Sequence, residues 1–139
     1  MEYDIEPIIT ATLVTPSERL EFLPRHFGRH LMVLEEALYA QMGRLCAEYS
    51  GGYWDFYDLS NGGCYLAPSG TTVYRVRVSS NYFEGDLSAD AAGITATLYA
   101  INSLTFRYPQ VRRHVDRYHQ LRDFACGHAQ ASLILAAID

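Results

Sequence analysis

The sequence predicts an α+β fold: a small antiparallel β-meander of about three strands packed with four to five α-helices in a single domain. Three observations carry that reading. Leu31, Leu34, Leu38, Met42 and Leu45 recur at three- and four-residue steps, the stripe of an amphipathic helix. From Tyr49 to Gly70, aromatics alternate with acids and small residues around Ser60-Asn61-Gly62-Gly63, the pattern of a β-hairpin. From Ser88 onward the apolar residues return to helical spacing and keep it to the end. Strands framed by runs of helices indicate α+β rather than a doubly wound sheet.

The elements follow in order. Residues 1–14 are expected to form an extended arm, with the β-branched run Ile8 to Val14 able to act as a strand. Thr15-Pro16-Ser17-Glu18 reads as a helix start, with Thr15 as cap, Pro16 at the first helical position and Glu18 completing a capping box. That helix is expected to be short, because Pro24 interrupts it and Gly28 follows. A longer helix is expected from about Arg29 to Glu48, ended by Ser50-Gly51-Gly52. Strands follow at about Tyr53 to Leu59 and Cys64 to Ala67. Asn61-Gly62 supplies the tight turn between them.

In the first of these strands Trp54, Phe56 and Asp58 share one face, and Tyr53, Asp55, Tyr57 and Leu59 the other. A third strand, about Thr71 to Ser79, alternates Tyr74, Val76 and Val78 with Arg75 and Arg77, so one face is dry and one wet. It is expected to complete the meander. Ser88 then caps a helix with Asp90 in its first turn, where the helix dipole favours an acid. Pro109 stops that helix. A strongly amphipathic helix runs from about Gln110 to Ala125, and Gly127 separates it from a last apolar helix, His128 to Ile138.

Composition excludes several classes. At 139 residues with 49% apolar content the chain can bury a real core. It has no apolar run near the roughly 18 residues of a membrane span. The acidic start, Met1-Glu2-Tyr3-Asp4, is unlike a secretory signal, so a cytoplasmic location is expected. Cys46, Cys64 and Cys126 are odd in number and far apart, which fits free thiols rather than a disulfide framework or a zinc pair. Net charge is −5 and all 11 basic residues are Arg, so the chain carries no nucleic-acid footprint.

The search for catalytic chemistry finds little. His26 and His30 are four apart, but Gly28 lies between them and no Glu follows His26, so surface or capping roles are favoured over a metal pair. His114 and His119 read as solvated members of a charged helix face. Cys64 has no His near it in sequence, and a strand Cys is ordinarily packing. The acids Asp55, Asp58, Glu84, Asp86 and Asp90 admit three readings: solvated turns, a patch for a protein partner, or a metal-dependent nuclease or hydrolase cluster. The hairpin carries aromatics on both faces; one face should be core, and the other must be covered by a helix or offered to a partner.

One resemblance adds to this. Leu23-Pro24-Arg25-His26-Phe27-Gly28, Leu45 to Trp54, Phe56-Tyr57 with Leu59 to Gly63, and Phe83-Glu84-Gly85 with Ser88 to Ile94 occur in an order that resembles the plasmid antirestriction family of the KlcA/ArdB type. The resemblance spans about Thr15 to the end. It implies an α+β fold, a bacterial cytoplasmic role and relief of type I restriction, so that incoming plasmid DNA survives. It brings no catalytic residue, metal or cofactor.

The expected partner is the host type I restriction–modification complex or an associated host protein. No membrane and no sequence-specific nucleic acid is expected, and a monomer is favoured. Imitation of DNA is disfavoured, because a mimic needs roughly one negative charge per ~1.7 Å along a rod. The expected contact surface comprises Tyr53, Asp55, Tyr57, Asp58, Asn61, Glu84, Asp86 and Asp90. The competing readings are the small hydrolase or nuclease and a plasmid-stability protein whose effect on restriction is indirect.

Overall fold

The computed structural model describes residues 7–139. Its strands are β1 (Ala11–Leu13), β2 (Trp54–Leu59), β3 (Cys64–Pro68), β4 (Val73–Val78) and β5 (Phe83–Ser88). Its α-helices are α1 (Arg19–Phe27), α2 (Leu31–Leu45), α3 (Ala89–Arg107), α4 (Arg112–Cys126) and α5 (Ala131–Ile138). The α+β class and the antiparallel pairing hold, and the helix count falls in the expected range. Part of the expected N-terminal arm, residues 1–6, lies outside the described residues.

The strands do not form one meander. They make a three-stranded sheet in the order β1-β2-β3 and a separate β4-β5 ribbon. β1 comes from the arm and pairs antiparallel with β2, Leu13 opposite Tyr57. The expected third strand, β4, turns away from β3 and pairs with β5, Arg75 opposite Asp86 and Arg77 opposite Glu84.

The physical reason lies at the outer edge of β3, which α3 occupies. Thr97 Oγ1 accepts the Leu66 N–H at 3.3 Å and lies 3.1 Å from the Leu66 carbonyl, sharing its one hydrogen with the Gly93 carbonyl at 2.7 Å. The polar groups of an open edge are thereby satisfied by a helix instead of another strand. Gly93 allows the approach: a Cβ there would stand 2.4 Å from Ala67 Cα and 2.6 Å from the Leu66 carbonyl oxygen.

α3 is the central helix, with Ala91, Ile94, Leu98, Ile101 and Leu104 fully buried and its C-terminal end, at Phe106, exposed. Ser88 caps it as expected, its side chain accepting the Ala91 N–H at 3.1 Å. Against it lies α2, whose stripe Leu34, Leu38, Met42 and Leu45 is buried, each side chain contributing about 1.5–3 kcal/mol by leaving water. One core cluster joins both sheets to the helices.

Three local expectations fail for identifiable reasons. Pro24 lies inside α1 instead of ending it; the helix stops only at Gly28, whose φ is 57°. The Thr15 capping box does not form; Pro16–Glu18 is a 3-10 turn in which Thr15 Oγ1 meets Ser17 Oγ at 3.1 Å. α2 ends at Leu45 rather than Glu48, because Cys46 is extended, and Gly51 and Gly52 serve the following loop.

Candidate interaction surface

The residues expected to form a contact surface fall into separate environments. Tyr53 precedes β2 and is 87% exposed. Asp55 is half-buried with its carboxylate 3.6 Å from Arg19. Asn61 is tied down: its amide donates to the Gln120 carbonyl at 2.9 Å and its oxygen accepts the Gly63 N–H at 3.1 Å. The turn is thereby fixed to α4.

Asp58 turns toward α1. Arg25 donates to both its oxygens at 3.0 Å, a bidentate pair, and His26 Nε2–H donates to Oδ1 at 2.6 Å. Burial pushes His26 down to about 4, against the pull of its bond to Asp58. The ring is therefore neutral, and its buried Nδ1 has no partner among the described residues. Burial opposes ionisation of Asp58, but the bonds from Arg25 and His26 prevail and hold its carboxyl below the ordinary range. Cys64 lies opposite Asp58 in the ladder, is fully buried, and has its thiol pushed up by burial. A thiol so placed is packing rather than a nucleophile.

Tyr57 and Asp90 are brought together through Tyr65. The Tyr65 ring stacks on Tyr57 at 4.7 Å and on Phe124 at 5.6 Å, while its hydroxyl donates to Asp90 Oδ1 at 2.8 Å. Burial raises the Tyr65 hydroxyl, with the Asp90 charge adding to it. His128 Nε2–H donates to Asp90 Oδ2 at 2.8 Å, and its Nδ1 accepts the Gln130 N–H at 3.0 Å. Both ring nitrogens are thus engaged, which leaves no lone pair to act as a general base.

Glu84 and Asp86 lie on the exposed face of the β4-β5 ribbon, where they face arginines. Arg75 reaches Glu84 at 3.4 Å and Asp86 at 3.2 Å, and Arg77 reaches Glu84 at 2.7 Å. Asp55, Asp58 and Glu84 therefore have three different sets of partners and do not converge. Among the described residues no group of three or more His, Cys, Asp or Glu could hold a metal ion, and no helix is long and apolar enough to cross a membrane.

Sequence reasoning missed the histidines. His114, expected in solvent, is 1% exposed; its Nε2 is 2.8 Å from His30 Nδ1, and His30 stacks on Tyr108 at 3.7 Å. His26 and His30, expected as surface or capping residues, are buried as well. It also missed the turn at Tyr82, a 92% exposed tyrosine at φ 62°. The signal for that turn was Ser79-Ser80-Asn81, a turn-forming run directly after an alternating strand.

Comparison with known proteins places this architecture. The family model described as "Antirestriction protein" matches residues 47–139. The chain belongs to the antirestriction protein family. An Escherichia coli antirestriction protein KlcA is 49% identical over 94% of this chain and 95% of its own length. A second KlcA from the same species is 47% identical, over 94% of each chain. A solved structure superposes with a TM-score of 0.89 at 46% identity, covering 100% of both chains. It belongs to work on KlcA and ArdB that describes a novel fold and antirestriction activity against type I DNA restriction systems in vivo but not in vitro. In this chain the fold is two small antiparallel sheets around a central helix, with His26, His30 and His114 buried inside it.

Proposed function

We propose that this antirestriction protein relieves type I restriction of incoming plasmid DNA by contacting a protein of the host, either the restriction–modification complex or a factor associated with it. The observation that carries this reading is the pairing of acids on the expected contact surface with arginines. Asp58 is neutralised by Arg25, Asp55 by Arg19, Asp116 by Arg112, and Glu84 and Asp86 by Arg75 and Arg77. Imitating a duplex requires unpaired charge at regular spacing along a rod. Here the acids of the expected contact surface are matched within the fold, and those that make no ion pair among the described residues, Glu18, Glu21, Glu35, Glu36, Glu48 and Asp123, are scattered over α1, α2, α4 and their flanks.

The behaviour described for the similar KlcA and ArdB proteins, active in vivo but not in vitro, supports a requirement for a cellular component. The buried thiol of Cys64, the doubly engaged His128 and the dispersed acids favour contact over catalysis. Transfer of unmodified plasmid into restricting and non-restricting hosts tests the function. Protection confined to restricting hosts is expected; equal benefit in both would point to plasmid stability instead.

A further inference from the structure

The C-terminal half of α2 and the β4-β5 hairpin enclose an open groove of about 640 Å³. That size falls within the range of ligand and peptide-side-chain sites, roughly 300–1,000 Å³. Leu45 and Phe83 are among its apolar lining, and Arg44, Arg77 and Glu84 are its charged groups. Arg44 stands in the last turn of α2 and makes no ion pair among the described residues. Across from it, Arg77 has a side chain 73% exposed and shares Glu84 with Arg75. A smaller hollow of about 190 Å³ shares Arg44, Leu45 and Arg77 with it and adds Arg75 and Glu48. Asp86 takes Arg75 and Glu84 takes Arg77, which leaves Arg44 as the guanidinium of this lining without an ion pair among the described residues.

The lip of this groove is strained. Tyr82 adopts φ 62°, a region that glycine enters freely and a bulky side chain does not. Asn81 holds it there: its amide donates to the carbonyls of Ala136 and Ala137 at 3.2 and 3.1 Å, and its oxygen accepts the Phe83 N–H at 3.0 Å. The ring gains nothing from the fold in return, being 92% exposed. Strain maintained at an exposed aromatic beside a groove is the mark of a surface kept for use.

We propose that the groove receives an extended segment of the partner protein that carries a carboxylate beside an apolar side chain. The carboxylate pairs with Arg44 and Arg77, the apolar group rests on Leu45 and Phe83, and Tyr82 closes over the segment. This deepens the protein-contact reading above and rests on it. Single-stranded nucleic acid fits less well, because it needs cations tracking a backbone and several stacking rings in series. This groove has one fully exposed ring and carries Glu48 and Glu84 in its lining.

Two measurements test the assignment. In the transfer assay, Tyr82→Gly and Arg44→Glu are each expected to cut protection at least about tenfold, as loss of an interface anchor does. Tyr82→Gly should melt at or above the wild-type temperature, since glycine relieves the positive φ; a merely structural Tyr82 would give the opposite. Full protection by both variants overturns the groove but leaves the protein-contact reading standing. Failure of the wild-type chain to protect a restricting host overturns that reading itself.

In the second measurement, isotope-labelled full chain is titrated with a blocked hexapeptide of repeating leucine and aspartate, with its asparagine counterpart, and with a short oligothymidylate. The aspartyl peptide alone is expected to shift the amides of Gln41, Arg44, Ser79 and Tyr82. Equal shifts with the asparaginyl peptide, or shifts with the oligothymidylate alone, overturn the proposal.

Discussion

Replacing Gly93 with alanine tests the closure of the β3 edge. The new methyl would stand 2.4 Å from Ala67 Cα and 2.6 Å from the Leu66 carbonyl oxygen, both backbone atoms that no rotamer change can move. Carbon atoms pack at about 3.5–4.0 Å, so α3 must withdraw from β3 by roughly 1 Å. The Leu66 N–H, already 3.3 Å from Thr97 Oγ1, then loses its acceptor.

Overpacking costs about 1–3 kcal/mol. A buried N–H left without an acceptor adds about 1–3 kcal/mol. The better helix propensity of alanine offsets only about 1 kcal/mol. The balance is about 3 kcal/mol of destabilisation, or about 10 °C in melting midpoint for a chain of this size. Gly43 is the internal control: it also lies inside a helix, α2, but nothing stands within 4 Å of a Cβ there. Gly43→Ala should therefore raise stability by about 0.5–1 kcal/mol. Thermal and urea unfolding of both variants decides the matter. A Gly93→Ala protein melting at or above wild type refutes the close approach and the edge protection inferred from it.

Other perturbations follow from the same geometry. Thr97→Val keeps the shape but removes the acceptor of the Leu66 N–H, and should cost about 1–3 kcal/mol with faster amide exchange at Leu66. His26 is pushed by burial to about 4, below its unfolded value of about 6.5, so the unfolded chain binds more protons between those values. Stability should accordingly fall by up to about 3 kcal/mol as pH drops through that window. His114, held low by burial and by its neighbour His30, adds to the same limb. Asp58, whose folded carboxyl is held low, loses its share further down as pH falls through its folded value. Urea midpoints across this range check the slope, and His26→Phe should flatten it. Tyr65→Phe should keep the aromatic stack with Tyr57 and Phe124 yet lose about 1 kcal/mol with the bond to Asp90, read by urea unfolding.

Much of the fold was legible because local physics decides it. The stripe from Leu34 to Leu45, the Asn61-Gly62 turn and the Ser88 cap each carry their own chemistry in a few adjacent residues. Pro24 misled, because a proline within the first turns of a helix removes only one backbone bond when the chain around it stays packed by Phe22 and Phe27. β5 was unreadable for another reason. Phe83-Glu84-Gly85-Asp86-Leu87 has the composition of a loop, and its strand state depends on pairing with Arg75 and Arg77 across the ribbon.

The histidines were misread because burial is set by tertiary packing. His114 lies on a charged helix, and nothing local says that His30 and Tyr108 will close over it. Of the candidate surface, the exposure of Tyr53 and the acidity of β5 were visible in the sequence. The arginines that neutralise Glu84 and Asp86 were also visible, but the register pairing them was not. The groove at Arg44 and Tyr82 joins segments nearly forty positions apart, so no spacing in the sequence announces it.

The claim that the protein works through a cellular protein is tested most directly by reconstituting the relief of restriction in a defined reaction. Purified type I enzyme, unmodified DNA and this chain are combined with cleared extract of a restricting host, with and without prior protease treatment of that extract. The account predicts that untreated extract makes the chain inhibitory and that protease treatment abolishes the effect. Inhibition by the purified chain alone that added duplex DNA relieves, or breakdown of DNA by the chain itself, would contradict it.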